Sequence, residues 1–230
     1  MILLLAAAIA SAAPASGGSC PDLVTSEALI CRALVAEKSG DHASAAQAFE
    51  EAAKASSEKD PKTARMYAAA GNLWIAAGEA GKAALDLDKA LALPGLEAEQ
   101  RGEALLDRAR AAEAQNDLKT ARARANEAAQ TISGDPFYWY FSAALAIREQ
   151  DSTTAQMAIN KALTLAPSDP TILFEAGHVA HFTGDDEKAR GYWMRAAGSD
   201  PNGEIGKAAA KAVEMLGVTP TVKLDPTQPK

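Results

Sequence analysis

Small and apolar residues recur along this chain at intervals of three and four, the mark of one buried face on an α-helix. The pattern restarts at five turn pairs: Gly40-Asp41, Gly78-Glu79, Asn116-Asp117, Gln150-Asp151 and Gly184-Asp185. Successive pairs lie 38, 38, 34 and 34 residues apart. Five residues after each first turn residue stands an alanine: Ala45, Ala83, Ala121, Ala155 and Ala189. Four further on comes Phe49, Leu87, Ala125, Ile159 or Trp193, and three beyond that Ala52, Ala90, Ala128, Ala162 or Ala196. Seven residues before each turn the chain is small again, at Ala33, Gly71, Ala109, Ala143 and Gly177. The Gly or Asn of a turn ends one helix by taking a left-handed conformation. The acid beside it starts the next as an N-cap or by complementing the helix dipole. Each unit is thus predicted to be two antiparallel helices with small residues where their axes cross. One such hairpin cannot bury its own apolar face, so the units must stack.

Helices are expected near 26–38, 41–57, 62–77, 80–93, 97–115, 117–131, 136–149, 151–165, 170–182 and 185–198. The two longer intervals imply an extra turn or a longer linker near Pro61 and Pro94-Gly95. After them, NGEIGKAAAKAVEML places Ile205, Ala209, Val213 and Leu216 on one face, as a capping helix over the last open surface would. Gly217 is placed to end that helix. Residues 218–230 carry three prolines and no periodicity, and are expected to be a flexible tail.

These features resemble the tetratricopeptide repeat family. The resemblance rests on Gly71 and Gly177 with Trp74, on the five alanines after the turns, on the larger residue four later, on the closing alanine, and on Pro167 and Pro201. It spans roughly Ser26 to Pro201, with the third repeat weakest because Ala125 stands where a larger residue is expected. It implies an all-α, right-handed α-solenoid of about five helical hairpins plus a C-terminal capping helix, within a repeat domain over 26–217. It also implies a concave groove lined by the first helix of each pair. The residues it places there are Ile30 and Leu34, Arg65 and Asn72, Leu106 and Arg110, then Phe137, Tyr140 and Arg148, and last Phe174, His178 and His181. Aromatics and arginines of this kind are what binding anchors are made of, although adjacent aromatics also pack neighbouring repeats. A Lys-and-Asn clamp for a terminal carboxylate, known in the family, is not met: Asn72 fits one place, but Ala68 stands where its lysine partner would be.

Composition agrees with closely packed helices, since 55 of the 230 residues are alanine and only 12 are aromatic. A net charge of -7, with acids and bases interspersed, argues against a nucleic-acid partner. The opening MILLLAAAIASAAPASGG has an apolar core too short to span a bilayer. It is followed by small residues at Ala10-Ser11-Ala12 or Ala13-Pro14-Ala15, as in a secretory signal peptide over 1–15. No Lys or Arg precedes that core, and residues 16–25 form a linker. Cys20 and Cys31 are the two cysteines. In an oxidising compartment they pair and tie the entering segment to the first helix. Two alternatives stay open: free thiols, or acylation of Cys20, for which GGSC is a poor signal because Gly17 replaces the usual leucine.

The sequence offers one constellation for catalysis, Glu175-x-x-His178-x-x-His181. Two imidazoles three apart share a helical face. The spacing is not the i, i+4 pair of helical zinc proteases, and Glu175 lies too far round to join both histidines. His42 sits beside a turn, and no glycine-rich phosphate loop is present. The expectation is a non-catalytic, cofactor-free, exported protein of bacterial type that binds peptides or partner proteins in the periplasm. The alternatives are a membrane-tethered assembly factor anchored at Cys20, and a metal-dependent enzyme using His178 and His181.

Overall fold

A computed structural model describes residues 20–217. The signal peptide expected over 1–15 and the tail expected over 218–230 lie outside the described residues. Within them are eleven helices and no strand: α1 (Ser26–Lys38), α2 (His42–Lys54), α3 (Pro61–Ala76), α4 (Ala80–Ala92), α5 (Ala98–Ala114), α6 (Leu118–Ile132), α7 (Pro136–Arg148), α8 (Ser152–Leu165), α9 (Pro170–Phe182), α10 (Asp186–Ser199) and α11 (Glu204–Gly217). They fall into two compact units, the first ending at Tyr138 and the second beginning at Trp139.

All five turns have one construction. Gly40, Gly78, Asn116, Gln150 and Gly184 take positive φ, at 79°, 78°, 63°, 60° and 83°. The amide that follows each of them bonds back five residues, as in Asp41 N to Ala36 O and Asp185 N to Ala180 O. Asp41, Asp117, Asp151 and Asp185 then accept the amide three residues on, each at 3.0 Å. The acid is therefore the cap, and the helix proper starts one residue later than the periodicity alone predicts. Glu79, with one more methylene, makes no such bond. Helix α2 also ends at Lys54, three residues short of the expected 57.

In the first unit α1 to α6 form three hairpins; each helix packs on its chain neighbours, and α3 also packs on α5. The crossing rule is visible atom by atom. A Cβ on Gly71 would lie 3.0 Å from Leu87 Cδ2 and closer still to Leu87 Cγ. Ala33 and Phe49, at the matching positions of the first hairpin, are both fully buried. In the third hairpin both partners are alanine, Ala109 and Ala125, and both are fully buried, while Gly102 lets Ile132 and Thr131 close on α5. The weak position in the repeat is thus a buried contact of small on small, with the larger Ile132 packed against Gly102 further along the pair. The longer linkers meet each other: Gly95, at φ 113°, lies where a Cβ would be 2.5 Å from Pro61 Cα.

In the second unit Ala143 and Ile159 make the crossing of α7 with α8, and Gly177 and Trp193 that of α9 with α10. The Trp193 indole lies on α9 in the space left by the missing Cβ and donates from Nε1 to Phe174 O at 3.0 Å. Helix α11 closes the end. Ala209 is fully buried, and Ala212, Val213 and Leu216 pack on Leu173, Ala180, Ala189, Trp193 and Ala196.

Candidate binding surface on the first helices

Counting back from the turns puts the chemistry of the first helices in register. The position nine before the turn is Cys31, Ala69, Asp107, Phe141 and Glu175. All five are buried, at 5–8% exposure. The position six before it is Leu34, Asn72, Arg110, Ala144 and His178. The first site packs inward; the second lies nearer the edge, with Arg110 and His178 exposed.

In the first unit these two positions bond to one another. Asn72 Nδ2 on α3 donates to Asp107 Oδ2 on α5 at 2.7 Å, and Arg110 Nη1 donates to Asp107 Oδ1 at 2.8 Å. Burial pushes the Asp107 carboxyl up, while Arg110 and Asn72 pull it back. Asn72 and Arg110, expected as groove contacts, are thus brought together by an acid that the sequence reading passed over. Along the same helix Glu103 is raised by partial burial and by the nearby charges of Glu99, Asp107 and Asp135. Arg65 holds the long linkers: its Nε donates to Gly95 O at 3.2 Å and its guanidinium reaches Glu97 at 3.3 Å. Ile30 is 7% exposed and belongs to the core, which corrects its expected place on a groove; Leu34 packs against the same core.

In the second unit Tyr140 is half-buried and packs on the cluster around Ala143 and Ile159. Phe174, also half-buried, meets the His178 ring edge-on at 4.5 Å between centroids, and His178 meets Trp193 at 5.5 Å. Desolvation between these rings, with His181 nearby, holds the His178 pKa below its usual value. His181 is exposed at the end of α9, its Nδ1 2.6 Å from Asp186 Oδ1. Among the described residues no group of three or more His, Cys, Asp or Glu is placed to hold a metal ion. Phe137 is half-buried and its amide donates to Asp135 Oδ1 at 2.9 Å; Arg148 is exposed. Residues 137–141 read FYWYF, and within that run Tyr138 and Phe141 are buried, at 4% and 8% exposure.

The described residues contain three buried acids. Asp107 has the two partners above. Asp86 on α4 accepts Lys89 Nζ at 3.0 Å. Among the described residues Glu175 has no hydrogen-bond or ion-pair partner, and burial alone pushes its carboxyl up to about 7. The sequence held a signal for the shared place of Asp107 and Glu175: two carboxylates recur at a register position otherwise filled by small or apolar residues.

At the other end of the chain Cys20 and Cys31 are joined by a disulfide. Arg32 adds a strap over the entering segment, donating to Pro21 O at 3.1 Å and Leu23 O at 2.7 Å. A cleft of about 650 Å³ opens there between α1 and α2, lined by Cys20, Leu29, Val35 and Ala48 among others. None of the residues expected at a groove lines it.

This architecture is that of the tetratricopeptide repeat proteins: paired helices, a left-handed turn residue, and a small residue facing a large one across each crossing. No protein-family model and no curated protein matches the chain. Solved structures do. PilW, a widely conserved type IV pilus biogenesis factor, superposes with a TM-score of 0.66 at 16% identity, covering 80% of this chain and 82% of PilW. A tetratricopeptide repeat protein from Parabacteroides merdae gives 0.63 at 15% identity, over 84% of this chain and 73% of its own. YrrB, a repeat protein with an unusual peptide-binding site, gives 0.55 at 18% identity, over 80% and 91%. At these identities the likeness is one of fold, and the chain has the tetratricopeptide-repeat fold.

Proposed function

We propose that this chain is a non-catalytic scaffold that binds peptides or partner proteins on the first-helix faces of its hairpins. The observation that carries the reading is the composition of those faces. Arg110 in the first unit, and Tyr140, Phe174 and His178 in the second, keep part of their surface in solvent on helices whose other sides are buried. Large aromatics and arginine on rigid helices supply binding energy at low entropic cost. Two proteins of similar fold support the reading: YrrB has a peptide-binding site, and PilW is a pilus biogenesis factor.

The same proposal places the protein outside the cytoplasm of a bacterial-type cell, in the periplasm. The leader-like first residues support this, and so does the Cys20–Cys31 disulfide, because such bonds persist in oxidising compartments. A Cys20 sulfur bonded to Cys31 carries no acyl chain, which favours the untethered form over the lipid-anchored one. Intact mass of the exported protein decides between them: cleavage before Cys20 with added acyl mass rejects the soluble form.

The binding reading is tested with immobilised protein and envelope extract, comparing wild type with Tyr140→Ala and Phe174→Ala by quantitative mass spectrometry. A shared set of captured proteins should fall away in both variants while the far-ultraviolet circular dichroism stays unchanged. Identical capture by all three folded proteins refutes the assignment of that face.

A further inference from the structure

The two acids nine residues before their turns, Asp107 and Glu175, occupy equivalent places but differ in what answers them. Asp107 is met from its own helix by Arg110, three residues on, and from the preceding first helix by Asn72. In the second unit the register residue matching Arg110 is His178 and the one matching Asn72 is Ala144. Alanine has no donor to give. The His178 ring is packed edge-on between Phe174 and Trp193, and its nitrogens make no bond to Glu175. Glu175 is therefore 8% exposed, on a well-packed helix, with neither of the donors that its counterpart has. An unpaired buried carboxylate is costly, and a protein relieves that cost by protonating it or by bringing a donor or a cation to it. What is missing at this place is the guanidinium that Arg110 supplies in the first unit. Next to Glu175 on the same helix stand the half-buried Phe174 and the exposed His178, whose rings suit the flat face and stem of such a group.

We propose that the first-helix face of the second unit holds a subsite for the cationic side chain of an arginine or lysine in a bound polypeptide, with Glu175 as counter-ion and Phe174 and His178 as its walls. This deepens the peptide-binding reading above and rests on it for its biological meaning. The chemistry is opposite to capture of a terminal carboxylate: the buried group is the anion, and the ligand brings the cation. Binding converts an unanswered acid into a buried pair with a charge-assisted hydrogen bond. Selectivity follows from the same fact, because a neutral side chain of equal size brings no charge to the acid and its hydrogen bond is the weaker one.

The test uses the whole protein with two probes, N-acetyl-arginine methylamide and its neutral isostere N-acetyl-citrulline methylamide. Nuclear magnetic resonance follows the carbon-13-labelled carboxyl of Glu175 and the α9 amides. The arginine probe should shift these signals saturably and lower the Glu175 pKa, and the citrulline probe should not. Glu175→Gln should weaken arginine binding by about tenfold or more. His178→Arg retains the acid and rebuilds the pair that Asp107 makes with Arg110. It should fill the subsite from within and weaken the probe to a similar extent, which keeps the test valid if Glu175→Gln misfolds. Equal shifts from arginine and citrulline, or wild-type binding by both folded variants, overturn the subsite. Failure of the arginine probe, with partner capture still dependent on Tyr140 and Phe174, overturns the subsite and leaves the scaffold reading standing. Probe binding with capture indifferent to those residues upholds the subsite and overturns the scaffold reading.

Discussion

Replacing Gly177 by alanine puts the crossing rule under strain where it has least room. The added Cβ would lie on Trp193 Nε1 and Cδ1, and 2.6 Å from Cε2. The indole cannot rotate away freely: it is 5% exposed and anchored by its bond to Phe174 O. Overpacking of this kind costs about 1–3 kcal/mol, and the displaced indole loses a hydrogen bond worth about 1 kcal/mol. The better helix propensity of alanine returns about 1 kcal/mol. The net loss is about 1–3 kcal/mol. Trp193→Ile alone should cost about 2 kcal/mol or more, because it empties part of the same site. The double variant, however, reproduces the pairing of the fourth hairpin, where Ala143 and Ile159 are both almost completely buried. The two substitutions should therefore be less harmful together than apart, with a coupling of about 1–2 kcal/mol. Urea unfolding followed by circular dichroism measures the cycle. Hydrogen exchange of α9 and α10 amides shows that the effect is local, since repeat arrays can unfold in parts. Additivity within about 0.5 kcal/mol would mean that Gly177 is not there to admit Trp193, and the packing argument fails.

Four further outcomes are expected. Glu175 has its folded pKa raised to about 7 from an ordinary 4.5, so its stabilising form is the protonated one. Stability should be highest below about pH 4.5 as far as this group is concerned and fall by roughly 3 kcal/mol as pH rises through 7; urea midpoints of wild type and Glu175→Gln across that range should diverge, and parallel curves refute the burial argument. Gln150 holds a positive φ of 60°, so Gln150→Gly should stabilise by about 0.5–1 kcal/mol in thermal melts, and a loss would show that its side chain matters more than its backbone. Reducing the Cys20–Cys31 bond, which spans 11 residues, should lower stability by about 3 kcal/mol, and an unchanged melting temperature under reductant contradicts that. Deleting residues 204–230 uncovers Leu173, Trp193 and Ala196 and should produce association by light scattering; a monomer of undiminished stability refutes the capping role of α11.

The sequence by itself determined everything that local backbone chemistry controls. The turn pairs announced a left-handed residue followed by an acid, and that arrangement needs only neighbours within about five residues along the chain. Small against large residues at fixed offsets from the turn announced the crossings, because each hairpin repeats the same geometry at a constant distance in sequence. Boundaries were legible to within a residue or two wherever a cap fixed them, and the largest miss, the end of α2, fell where no glycine marks the stop. Only the tertiary structure decided which side chains are spent internally. Asn72, Arg65 and Ile30 were all expected on the groove, but α5 brings Asp107 against Asn72, the two linkers converge on Arg65, and the first hairpin closes around Ile30. Those pairings join residues about 30 to 35 apart through the packing of separate helices, and no pattern within one helix encodes them. Glu175 is the converse case, in which the carboxylate was in plain view and only its burial, together with the alanine at the place of its missing donor, gave it meaning.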